Sequence, residues 1–266
     1  MQKQHFEETY SAHPPENYEQ FFVPAIGKPL AEDLVEKAQL TSGENIMDVA
    51  CGTGIVARLA KEKVGSKSFV SGLDADPGML AVARSLDQTI EWYEANAETI
   101  PIPDNTFDVV FCQMGLQFFE NKVVVLKEMY RILKQGGRLC INVPGPIADL
   151  FKAMVNAMKK NISEQAAGFL VHVFSLYKPN EIQEIMLRAG FKNVKIEPSE
   201  KELHLPKAEK FLWQYIHSTP LAAVVLKSDK HSLRSLEKDV SKSWQNFSQN
   251  GSIIYNQPMV TVLSTK

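Results

Sequence analysis

The chain has 266 residues, 44% of them hydrophobic, with 29 basic and 31 acidic side chains and a net charge of -2. A chain of this size and balance buries a full core and lacks the field that would hold nucleic acid, so no nucleic-acid partner is expected. The polar start, "MQKQHFEETYSAHPPENYEQ", has no basic block followed by an apolar block, and the run "LAAVVL" is far short of the ~20 residues that cross a bilayer, so a cytoplasmic chain with neither leader nor membrane span is expected.

In chain order, "NIMDVA" is an apolar run that ends in a glycine-rich turn, "IVARLAKEKV" follows with helical spacing, and "SFVSGLDA" is the next strand, which makes one β-α-β unit. "PGMLAVARSL" opens with Pro77 in its first turn and sets Met79, Val82, Ala83 and Leu86 on one helical face. "IEWYEAN", "FDVVFCQ" and "GRLCINV" read as three further strands. The last two bracket a helix, "VVVLKEMYRILK", that the pattern stops at Gly136-Gly137. Five strands joined by crossover helices predict a parallel, doubly wound sheet. Cys51, Cys112 and Cys140 each fall in or beside a core strand and read as buried, reduced thiols.

After Pro146 the rhythm changes. "IADLFKAMVNAMKK" carries a stripe of Ile147, Leu150, Phe151, Met154 and Met158, and "PNEIQEIMLRAG" is a further helix. "FKNVKIEPSEKELHL" reads as a strand, "KAEKFLWQYIHSTP" and "HSLRSLEKDVSKSWQNF" as helices, and "PMVTVLSTK" as a closing strand. The expected organisation is an N-terminal lid over 1–40, a ligand-binding core over 41–145, helical cover insertions over 146–177 and 206–250, and sheet completion by 178–205 and 251–266. The fold class is therefore α/β, with a mostly parallel seven-stranded sheet under a helical lid.

The turn "DVACGTGIVA" contains Gly52, Gly54 and Ala57, the spacing of a dinucleotide cradle, and Asp74 lies where a ribose partner belongs. Those features alone fit NAD. Asp48, however, ends the first strand beside the turn, and a carboxylate there repels a pyrophosphate while attracting a cation. S-adenosylmethionine carries a sulfonium and an ammonium, has no phosphate, and still presents a ribose to an acidic side chain.

With these motifs the sequence over about 40 to 145 resembles the class I S-adenosylmethionine-dependent methyltransferases. The stretch "ANAETIPIPDNTFDVVFCQMGLQFF" is similar to the C-methyltransferases of ubiquinone and menaquinone biosynthesis. The resemblance implies S-adenosyl-L-methionine as cofactor, S-adenosyl-L-homocysteine as product and no metal. It places Asp48, Ala50, Gly52, Thr53 and Gly54 at the methionine end and Asp74 on the ribose hydroxyls. Ala75 and Met79 would border the adenine, Asn96 and Ala97 would meet its edge, and Gln113 and Met114 would close the pocket beside the sulfonium. Many relatives carry Asp where Asn96 stands, and the terminal signature residues of the quinone branch are not found here.

Methyl transfer from a sulfonium is an in-line displacement on an activated carbon, so positioning carries most of the chemistry. The stripe of 147 to 158 and the aromatics of 211 to 215 suggest an apolar pocket and a small, partly hydrophobic acceptor, while core packing explains the same spacing. His172, His204, His217 and Tyr177 are weak base candidates, with no partner legible in the sequence. On the first of the helices expected over 206–250, Phe211, Leu212, Tyr215 and Ile216 form the packing stripe, and Trp213 with His217 shares a neighbouring face that either borders the acceptor or stands exposed to solvent. Two other functions stand beside methyl transfer: an NAD-dependent oxidoreductase, for which no convincing Tyr-x-x-x-Lys or His-Asp pair is found, and a turnover-deficient S-adenosylmethionine-binding regulatory protein.

Overall fold

The computed structural model describes residues 10–266. A proline-opened turn, Pro14–Asn17 (α1), continues through a π-helical stretch, Tyr18–Gly27, into Lys28–Lys37 (α2). Tyr18, Phe21 and Phe22 thus lie inside the helical rod. Pro24, within the stretch, has no N–H to donate, so a regular ladder is interrupted there.

Five parallel strands follow: β1 (Ile46–Val49), β2 (Val70–Asp74), β3 (Glu91–Glu94), β4 (Phe107–Gln113) and β5 (Leu133–Pro144). The helices among them are α3 (Ile55–Val64), α4 (Pro77–Leu86) and α5 (Lys122–Ile132). No helix joins β3 to β4; residues 95–106 cross in turns, contrary to the expected helical crossover. The helix α5 also ends at Ile132, before the Gly136-Gly137 pair, because Leu133 is already extended and pairs with Phe107 in the sheet.

The second half supplies α6 (Asp149–Asn161), α7 (Glu164–Val173), α8 (Pro179–Ala189), β6 (Lys195–Leu205), α9 (Ala208–His217), α10 (Ala222–Val225), α11 (Lys230–Trp244), β7 (Ser248–Gln249) and β8 (Ser252–Thr265). The strand order is β3-β2-β1-β4-β5-β8-β6, with β7 beside β8. β8 runs antiparallel to both β5 and β6, and it begins six residues before the stretch read from sequence, since Ile253 through Gln257 still pair with β6.

The alternation of β1 shows why two helical layers form. Ile46 packs with Val56, Ala57 and Ala60 of α3 and Leu34 of α2, whereas Met47 and Val49 pack with Leu126 and Met129 of α5 and Met186 of α8. A third apolar cluster joins Phe22, Ile26 and Leu30 to the buried faces of α6, α7, α9 and α11, and it forms the core of the helical cover. The cover thus has its own hydrophobic core, which continues into the lid.

Candidate active site

The glycine turn is built by backbone conformation. Ala50, Gly52 and Gly54 have φ values of 58°, 55° and 85°, three left-handed residues in five. A Cβ on Gly54 would lie 2.3 Å from Cη2 of Trp92, so the indole closes the outer side of the turn and leaves room for glycine alone. Nothing in the spacing of the sequence points to Trp92 in that role. Its contact crosses from β3 to the turn after β1.

The two acidic residues converge on this turn. Asp74, at the end of β2, accepts hydrogen bonds from the N–H of Gly52 at 2.8 Å and of Asp76 at 2.9 Å. Asp76, in turn, caps α4 by accepting from the N–H groups of Gly78 at 2.7 Å and Met79 at 3.3 Å. Asp48 is 1% exposed; its Oδ2 accepts from the Ala57 N–H at 3.2 Å while its Oδ1 is buried without a partner. Burial first, and then the nearby Asp74, push the Asp48 carboxyl up to about 8; burial likewise raises Asp74. Thr53 is fully buried and its Oγ1 also lacks a partner. Cys51 is buried, and that burial holds its thiol well above the usual range, which leaves it protonated and inert.

This donor set discriminates between ligands. The Gly52 N–H already serves a protein carboxylate, and the Gly54 N–H donates to the Cys51 carbonyl at 2.8 Å. A pyrophosphate would find those two amides taken and two carboxylates beside it. A cation would find a buried carboxylate oxygen with no partner, which fits an ammonium.

The remaining candidates lie around the same strand ends. Ala75 is exposed after β2 and Met79 is half-buried on α4. Asn96 is exposed, and its side-chain oxygen accepts from the Glu98 N–H at 2.8 Å, so its Nδ2 is the group left for a ligand; Ala97 beside it is buried. Gln113 ends β4 with its amide engaged: Nε2 donates to the Gly27 carbonyl at 2.9 Å, and Oε1 accepts from Asn142 at 3.3 Å. Its visible work is to fasten the N-terminal rod to the sheet. Met114 is left-handed, with φ of 51°, and its N–H donates to the Asn142 carbonyl at 2.9 Å.

The rod closes over the turn. Tyr18 is packed against Gly52, stacks on Phe22 at 4.7 Å, and has its phenol pushed upward by burial and by the nearby carboxylates. Arg58 of α3 donates to Glu19 at 2.8 Å, and Ser218 Oγ donates to the Asn17 carbonyl at 3.0 Å, so the rod is tied to both the core and the cover.

Behind Tyr18 lies a cavity of about 280 Å³. Tyr18, Met79, Met114, Gln117, Val173 and Tyr215 are among the residues that line it, and none of its described lining residues is Asp, Glu, Lys, Arg or His. Cover residues thus meet the carboxyl ends of the strands here, where open α/β sheets bind ligands. Gln117, Val173, Ser218 and Thr219 were not singled out from the sequence. The only available signal was the "GLQFF" that follows β4 within the family-like stretch.

Several expectations about the cover are corrected. Trp213 is fully buried in the cover core and donates from Nε1 to Glu237 at 2.5 Å, so it does not border the cavity, whereas Tyr215, assigned to the packing stripe, does. Leu150, Phe151, Met154 and Met158 are likewise core residues at 2% exposure or less and line no part of it. None of the four base candidates reaches the cavity wall. His172 is exposed against Phe118, His204 is exposed 3.0 Å from Glu202, and Tyr177 packs on the α5 and α8 side. His217 stacks on Tyr10 at 4.0 Å with its pKa lowered by burial.

Comparison with known proteins agrees with the geometry. Residues 47–141 match the family described as "Methyltransferase domain". The chain is 32% identical over 152 residues to a demethylmenaquinone methyltransferase of Listeria welshimeri, covering 55% of this chain and 64% of that protein. It is 41% identical over 110 residues to a ubiquinone/menaquinone biosynthesis C-methyltransferase of Stenotrophomonas maltophilia, covering 39% and 44%. The chain thus spans less than two thirds of the length of these relatives. A solved phosphoethanolamine N-methyltransferase 2 of Haemonchus contortus, in complex with S-adenosyl-L-methionine, shares the fold at a TM-score of 0.61 and 19% identity, over 98% of this chain and 58% of that one. In strand order, glycine turn and family match together, residues 47–141 are a class I S-adenosylmethionine-dependent methyltransferase domain, similar to the ubiquinone/menaquinone C-methyltransferase group.

Proposed function

We propose that the protein transfers a methyl group from S-adenosylmethionine to a small, largely apolar acceptor held in the cavity behind Tyr18. The observation that carries this reading is a shared wall. Met79 and Met114, which follow β2 and β4 and which this reading sets beside the cofactor, also line the apolar cavity, and that supports a donor and an acceptor held next to each other.

In this reading Asp48 receives the ammonium on its free Oδ1, with Thr53 beside it, and Ala50, Gly52 and Gly54 shape the turn along the methionine end. Asp74 takes the ribose hydroxyls, Ala75 and Met79 border the adenine, and Asn96 and Ala97 meet its edge. Gln113 and Met114 lie toward the sulfonium. Bound S-adenosylmethionine supplies a methyl carbon already activated for displacement. The residues of this chain contribute position: Tyr18 and the rod exclude water, and the cover fixes the acceptor beside Met79 and Met114. Orientation of this kind supplies up to about 7 to 11 kcal/mol of a displacement barrier. Among the described residues the wall includes no Asp, Glu, Lys or His, and burial raises the phenols of Tyr18 and Tyr215 and so favours their neutral form.

Calorimetric titration separates this reading from a nicotinamide enzyme. S-adenosylhomocysteine should bind at one site per chain and raise Tm, and NADH should do neither. A preference for NADH would overturn the proposal.

A further inference from the structure

The glycine turn after β1 is packed against aromatic rings from two distant segments. Tyr18 of the rod meets it at Gly52, where a Cβ would lie 3.8 Å from Cε1. Trp92 of β3 meets it at Gly54, where a Cβ would lie 2.8 Å from Cζ3 and 3.2 Å from Cζ2. The same indole also lies against Gly72 of β2: a Cβ there would fall 2.5 Å from Cζ3, 2.7 Å from Cε3 and 2.9 Å from Sγ of Cys51. Gly72 sits within a strand and not in a turn, so its missing side chain serves as the slot that admits the ring.

The ring is itself fixed. Its Nε1 donates to the Asp87 carbonyl at 2.9 Å, just past the end of α4, and Arg84 Nη2 donates to the Trp92 carbonyl at 3.3 Å. Trp92 is half-buried and packs against the apolar cluster of α2 and α3. The turn needs such backing. The bonds from the Gly52 N–H to Asp74 and from the Gly54 N–H to the Cys51 carbonyl do not by themselves hold Ala50 left-handed, a conformation unfavourable for a residue with a Cβ.

We propose that Trp92 is a positioning residue for the methionine end of the cofactor: its indole, seated against Gly54 and Gly72, holds the turn of 50–54 in the shape that presents Asp48 and Thr53 to the amino-acid arm. The inference rests on the methyl-transfer reading for the identity of the ligand, and it assigns Trp92 no contact with that ligand. A group of this kind spares the ligand the cost of ordering the turn, and its loss is felt by the part of the ligand that faces the turn. The nucleoside end is carried on other segments, where Asp74 keeps its bond from the Asp76 N–H and Asn96 its bond from the Glu98 N–H.

The test compares two ligands by calorimetric titration of the full chain. S-adenosylhomocysteine carries adenine, ribose and the amino-acid arm; methylthioadenosine carries the first two and lacks the arm. In Trp92→Phe the phenyl ring ends short of the distal carbons that touch Gly54, while an aromatic side chain still occupies the half-buried position. This variant should bind S-adenosylhomocysteine at least about fivefold more weakly and methylthioadenosine within about twofold of the parent, and Trp92→Ala should widen the difference to about tenfold or more. A general loosening of the fold would weaken both ligands by the same factor. Thermal melts without ligand check that each variant unfolds cooperatively, and the conservative Trp92→Phe carries the test if Trp92→Ala does not fold. An unchanged ratio of the two affinities in Trp92→Phe, whether neither ligand is weakened or both are weakened equally, overturns the inference and leaves the methyl-transfer reading intact. Failure of that reading is distinct: the parent chain would then not bind S-adenosylhomocysteine, and the inference would fall with it.

Discussion

The parallel half of the sheet and the helical cover solve different problems. In β1 to β4 the candidate ligand groups sit on a backbone that is itself constrained: a turn with three left-handed residues, an acidic side chain at the ends of β1 and β2, and a glycine under an indole. In the cover, the cavity is whatever space remains when α7 and α9 pack against the rod and the strand ends. Its wall residues are ordinary apolar side chains, some of which face a void while their neighbours face a core. A site made by backbone geometry leaves a local signature, and a site made by packing does not.

The contrast can be broken first at Trp213. It belongs to the cover core and not to the cavity, so Trp213→Ala should destabilise the fold by about 3 to 5 kcal/mol in denaturant unfolding. Under stabilising conditions the folded fraction should keep its affinity for S-adenosylhomocysteine. A stable variant with an altered acceptor KM would return Trp213 to the site.

Asp48 sharpens the other side. Asp48→Asn leaves the ligand ammonium without its counter-charge and should weaken S-adenosylhomocysteine binding by about 2 to 5 kcal/mol. Stability should move the opposite way. The folded carboxyl sits at about 8 against an ordinary value of 3.8, so between about pH 4 and 8 the folded chain binds more protons than the unfolded one at this site. Asp48 therefore lowers stability progressively as pH rises through that window. Asp48→Asn should raise Tm by a margin that grows from pH 4 to pH 8 and then levels off, as thermal melts across that range would show. A margin independent of pH would mean that Asp48 is ionised in the folded protein throughout.

Asp74→Ala should have the smallest effect of the three, about 1.5 to 3 kcal/mol in cofactor affinity, the scale of hydrogen bonds to a charged group, without unfolding the chain. Unchanged affinity by calorimetry would remove the ribose assignment. Asp76 is untouched in this variant, so α4 keeps its cap.

Much of the first region was legible from residues. The β-α-β pattern, the glycine turn with Asp48 and Asp74 beside it, and the buried setting of Cys51 all follow from short-range rules, because each depends on neighbours within a few positions or on one parallel pairing. The errors fall where a contact decided between equal local choices. Helix α5 reads on to Gly136-Gly137 by periodicity, yet pairing of Leu133 with Phe107 ends it earlier. Besides the ligand role proposed for it, Gln113 has a fastening role that no local rule shows: its Nε2 donates to the Gly27 carbonyl, 86 positions away.

The sequence by itself determined the doubly wound sheet, the acidic glycine turn and the preference for a cation over a pyrophosphate, since hydrophobic period and turn chemistry act locally. Only the tertiary structure decided which apolar residues line the cavity. Tyr18, Met79, Gln117, Val173 and Tyr215 come from five separate segments, and packing against a cavity and packing against a core call for the same apolar side chains.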